Sequence, residues 1–68
     1  MFNATVKNGE GMIVRKGDTV TDFRGEDWVF EGVSALPVPG KSAKVWVSWD
    51  GSNREFYAQV FNLVVDPS

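Results

Sequence analysis

Gly40-Lys41-Ser42 are the letters that end a phosphate-binding loop, in which backbone N–H groups cradle phosphate and the lysine reaches its outer oxygens. The stretch ALPVPGKS (35–42) tests that chemistry. The motif requires a glycine five residues before Gly40, so that the backbone can curl around the anion; this chain has Ala35 there. Pro37 and Pro39 remove two of the N–H donors the loop would supply. The residues that follow, AKVWVSW, alternate and are rich in Val and Trp, which predicts a strand where the motif needs a helix. The segment therefore reads as a connection between strands. Lys41 is expected to be exposed in a loop, with no affinity for ATP or GTP.

Other reactive groups are sparse. The chain has no histidine, the commonest general base and metal ligand, and no cysteine for disulfides or thiolate sites. Ser34, Ser42, Ser48 and Ser52 thus lack the usual activating partner, and Lys41 or Lys44 alone carries no supporting signature for a Ser–Lys pair. Asp22, Glu26, Asp27 and Glu31 cluster within ten residues, and paired carboxylates can hold a cation or exchange protons. Their spacing is not that of a calcium loop, and they read better as polar turn and outer-strand residues that keep an edge soluble. The expectation is a non-enzyme with no cofactor and no metal.

The elements that position these residues are short. Glycine at 9, 11, 17, 25, 32, 40 and 51 leaves no long interval at helical period. What recurs is β-rich runs bounded by turn residues: 2–6, 12–15, 18–23, 28–33, 44–49, 54–58 and 63–65. Asp50-Gly51-Ser52-Asn53 is read as a four-residue hairpin loop, and 59–62 as one helical or 3₁₀ turn before the last strand. Asp66-Pro67-Ser68 is expected to fray. Sixty-eight residues allow one small domain, here compensated by three Trp, five Phe and one Tyr. The predicted architecture is all-β, a small SH3-like barrel of five to six short antiparallel strands. The turn GDTVTDFRGE looks like the first loop of such a domain.

Alternation assigns the faces. Val45, Val47 and Trp49 form a wholly apolar set and should point inward, which turns Lys44, Trp46 and Ser48 outward. Phe56 goes in, and Glu55 and Tyr57 go out. Glu31 marks the outer face of its run together with Val29 and Val33, leaving Trp28 and Phe30 inside. Leu63 joins this expected core. A four-residue loop would pair Trp46 with Tyr57 and Trp49 with Arg54. The resulting outward patch of Val29, Val33, Trp46 and Tyr57, fringed by Glu31, Lys44 and Glu55, is the candidate partner-binding site. It could also be a simple cross-strand pair, or be covered by the N-terminal strand. Trp46, Tyr57 and Glu31 have the chemistry of a methyl-amine cage, but a flat sheet face is not a cage.

Seven basic residues are outnumbered by nine acids, for a net charge of −2, and only Arg15 and Lys16 are adjacent. That weighs against a nucleic-acid groove and against an anionic membrane surface. No apolar run approaches the roughly 20 residues that cross a bilayer. The first residues lack the basic start and apolar stretch of a signal peptide, which predicts a cytoplasmic location and makes Asn3-Ala4-Thr5 a chance glycosylation triplet. The expected partner is a protein, with single-stranded nucleic acid as runner-up and a second copy of the chain as third.

VTDFRGEDWVFEGVS (20–34), REFYAQVFNLVV (54–65) and the Val-Trp-Val strand between them resemble small uncharacterised proteins encoded by bacteriophages of mycobacteria and related actinobacteria. The resemblance covers most of residues 18–65 and carries no catalytic motif. It implies a non-structural phage product in the host cytoplasm, an accessory factor that binds a host or phage protein.

Overall fold

The computed structural model describes residues 4–67. Six strands and one 3₁₀ turn make it all-β: β1 (Ala4–Lys7), β2 (Thr19–Thr21), β3 (Asp27–Ala35), β4 (Lys44–Trp49), β5 (Ser52–Tyr57), the turn Ala58–Phe61, and β6 (Val64–Pro67). Two antiparallel sheets result, β2-β3-β4-β5 and β1-β6, and they do not join into one closed ladder. Their inner faces share a core. Val20, Trp28, Phe30, Val45 and Val47 come from the larger sheet, and Val6 and Val65 from the smaller. Ala58, Phe61 and Leu63 close the space between them. Trp28, Phe56 and Phe61 stack edge to face in sequence, with centroids 5.4 and 5.8 Å apart, the geometry that ring quadrupoles favour.

Several expected boundaries move. Residues 12–15 are not a strand: only Ile13 makes a bridge, to Lys7, while Val14 N–H donates to the Val6 carbonyl. The run 18–23 shortens to three residues, because Asp22 leaves the ladder to organise a turn. Asp66 and Pro67 do not fray but pair with Thr5 and Ala4. Of the run 2–6, Phe2 and Asn3 lie outside the described residues, as does Ser68.

The β4–β5 connection is a two-residue turn rather than a four-residue loop. Asp50 and Gly51 take φ of 50° and 81°, the positive values a type I′ hairpin demands and that Asp-Gly tolerates. The register therefore pairs Trp49 with Ser52, Trp46 with Glu55 and Lys44 with Tyr57. The shift is by two residues, so every side chain keeps its expected face while its partner changes.

Trp49 is the core residue that the expectation misplaced. It lies on the inward side by alternation but is 59% exposed. Its ladder partner Ser52 sits at the hairpin tip, beyond the last inward pair, Val47 and Arg54, where the core has ended.

Candidate functional site

The outer face of the larger sheet is shaped by irregularity in β3. Phe30 pairs with Val47 and Gly32 with Trp46, leaving Glu31 as an extra residue on its strand. Such a bulge reverses the alternation beyond it. Gly32 absorbs the distortion at φ 152°, a conformation that residues with a Cβ rarely adopt. Val33 consequently pairs with Val45 and packs on the core, contrary to its expected outward position. A second irregularity at Ser34 turns the strand again, and Ala35 meets Lys44 on the outer side.

Four of the five expected partner-binding residues therefore share the outer face: Val29, Glu31, Trp46 and Tyr57. Trp46 is 43% and Tyr57 is 47% exposed. They are diagonal neighbours on adjacent strands, not a directly opposed pair. On the β3 side the ladder partner of Trp46 is Gly32, which sets no side chain directly opposite the indole. Lys16, Glu31 and Asn53 complete a shallow hollow around it.

The polar groups of this face bond to one another. Ser48 Oγ donates to Glu31 Oε2 at 2.6 Å, and Ser34 Oγ donates to Glu55 Oε2 across the intervening strand. The Lys44 ammonium lies 5.2 Å from the Tyr57 ring centroid, within cation–π range. The arrangement holds two aromatic rings among polar neighbours already engaged with each other. The hydroxyls of Ser34 and Ser48 are thus satisfied, while the charges of Glu31 and Glu55 call for donors or cations from any partner that covers them.

The four carboxylates of 22–31 go separate ways. Asp22 is the buried one: its Oδ1 accepts from the Arg24 and Glu26 N–H groups, both at 2.9 Å, and its Oδ2 from Trp28 Nε1 at 3.2 Å. Burial pushes this carboxyl up, but the hydrogen bonds from Glu26, Trp28 and Arg24 outweigh it and hold the group below its ordinary value. Asp27 accepts from Thr21 Oγ1 at 2.8 Å, and Glu31 is taken by Ser48. Among the described residues no three such side chains gather as a metal site.

Two features escaped the sequence reading. Phe23, at the tip of the turn that Asp22 organises, is 81% exposed. The 36–42 connection, moreover, folds beside Tyr57 rather than standing clear. Val38 and Lys41 exchange both backbone hydrogen bonds around Pro39-Gly40, with Gly40 at φ 82°, as a Pro-Gly type II turn requires. Lys41 is exposed in that turn, as expected, yet it lines a cleft of about 570 Å³ with Leu36, Val38, Ser42, Lys44 and Tyr57. The Pro-Gly pair was the available signal for the turn; nothing local announces which strand it meets. The chain matches no protein-family model, no curated protein and no solved structure.

Proposed function

We propose that this chain is a non-enzymatic protein-binding module of SH3-like type, whose contact surface is the outer face of β3, β4 and β5 around Trp46 and Tyr57. The observation that carries the reading is the state of Trp46. It is nearly half exposed at the middle of a sheet face, opposite a glycine, amid carboxylates and hydroxyls already paired with each other. Exposed aromatics in such a setting are the commonest anchors of protein interfaces. The barrel type is supported by the antiparallel order β2-β3-β4-β5, the 3₁₀ turn before the last strand, and the pairing of that strand with the first. By its resemblance to actinobacteriophage proteins, the proposed module would act in the host cytoplasm, as an accessory factor on a host or phage protein.

The test is the double change Trp46→Ser with Tyr57→Thr. Loss of one cross-strand aromatic contact should cost folding only about 0.2–1 kcal/mol. Loss of two anchors should remove roughly 2 kcal/mol or more of binding each. Thermal unfolding and capture of partners from actinobacterial lysate are measured side by side. A variant that melts like the wild type and still captures every partner would refute the reading.

A further inference from the structure

We infer that copies of this chain associate head to tail, the Phe23 turn of one copy seating in the cleft between Lys41, Lys44 and Tyr57 of the next. The inference rests on the proposed contact face, because Tyr57 belongs to both, and it names an occupant for one end of it.

The projecting part is built to be displayed. Phe23 is more exposed than any other large apolar residue described. Its turn is rigid, since Asp22 bonds the backbone on the far side of the tip and the indole of Trp28 beneath. With the backbone of the turn already held, docking has only the Phe23 side chain left to order. Around it the charge is acidic. Glu26 and Asp27 are exposed, and Arg24 is tied to Asp22 and Glu26 at 3.4 Å, with its guanidinium 5.9 Å from the Phe23 ring.

The receiving part is its complement. The cleft has apolar walls from Ala35, Leu36 and Val38 and the Tyr57 ring, and its rim carries Lys41 and Lys44. No carboxylate lines it, and neither lysine makes a salt bridge among the described residues. Its volume of about 570 Å³ lies within the range that accepts compact organic groups, roughly 300–1,000 Å³. No residue of the 22–27 turn reaches the cleft of its own chain. An apolar knob with an acidic collar and a cleft of mixed polarity with a basic collar thus stand unsatisfied on one molecule. They can meet only between molecules, through two different surfaces.

A contact this small is expected to be weak, with a dissociation constant between about 1 μM and 1 mM. Sedimentation of the wild type across that range should show the mean mass rising with concentration, less so in high salt. Phe23→Ser removes the knob at an exposed position, and Lys41→Glu with Lys44→Glu reverses the rim. Each should weaken association roughly tenfold or more. The decisive arm mixes the two. The first variant keeps its cleft and the second keeps its knob, so an equimolar mixture should regain association and stop at a dimer. Circular dichroism confirms that each variant is folded. A wild type that stays monomeric at 1 mM (about the top of the range for small interfaces), a Phe23→Ser protein that associates normally, or a mixture that stays monomeric would each overturn the inference. Partner capture that still depends on Trp46 would, in that event, leave the proposed function standing.

Discussion

Two tryptophans on the same side of one sheet should respond to truncation in opposite ways. Trp28 is 9% exposed, stacked edge-on against Phe56, with its indole N–H donating to Asp22. A fully buried large aromatic removes about 150–250 Å² from water, which at about 25 cal/mol per Å² is worth about 4–6 kcal/mol. Measured truncations of such residues cost about 3–5 kcal/mol. A domain of this length has only about 3–10 kcal/mol in total. Trp28→Ala should therefore be mostly unfolded. Trp49 is 59% exposed, so the same area argument caps its loss at about 1.5–2.5 kcal/mol, an upper figure because the unfolded chain is itself partly collapsed. Trp49→Ala should keep a cooperative transition with a lowered midpoint. Urea unfolding followed by far-ultraviolet circular dichroism reads both without relying on the fluorescence that the substitutions remove. A folded Trp28→Ala beside an unfolded Trp49→Ala would refute the placement of the core.

Two further outcomes follow from the site's scaffolding. Gly32→Ala should destabilise by about 1–3 kcal/mol through backbone strain alone, because nothing lies within 4 Å of the added methyl group; an unchanged urea midpoint would mean the bulge is not fixed there. Asp22 has a folded-state pKa below its ordinary 3.8, so its contribution is fully present above 3.8 and is lost as pH falls from there through the lower folded-state pKa. Urea midpoints between about pH 2 and 6 should drop on the acid side in the wild type and drop less in Asp22→Asn, and parallel curves would exclude the role assigned to this carboxyl.

The legible part of the fold is the part governed by alternation. β4 runs over the same residues as expected, Trp28, Phe30, Val45 and Val47 are inside, and Trp46 and Tyr57 are outside. These depend on a period of two that only a one-residue slip could reverse. Val33 was misread because such a slip occurs at Glu31, and Gly32, which permits it, carries no unique mark among seven glycines. Trp49 was misread for another reason. Alternation tells which face a residue occupies but not whether anything packs against that face. Residues 12–15 have the composition of a strand, yet they meet β1 through a single bridge, Ile13 with Lys7, and no ladder continues from it. The cleft beside Tyr57 was hidden because it joins residues from a loop and three strands, and its assembly depends on a register that was read two residues off.

The β1–β6 ladder joins Ala4 to Pro67 and so ties one end of the described chain to the other. The β2-β3-β4-β5 sheet, by contrast, connects only neighbours in sequence. Closing the longer loop loses more chain entropy, and that loss falls before any contact repays it. The meander should accordingly form in the folding transition state, with the two-stranded clasp zipping up afterwards. In the native protein the order reverses. The clasp opens first, by fluctuations that leave the meander intact. Native-state hydrogen exchange should then find the amides of Val6 and Val65 less protected than those of Val45 and Val47, although all four side chains belong to the buried core. The face around Trp46 would thus outlast the loosening of the chain's two ends.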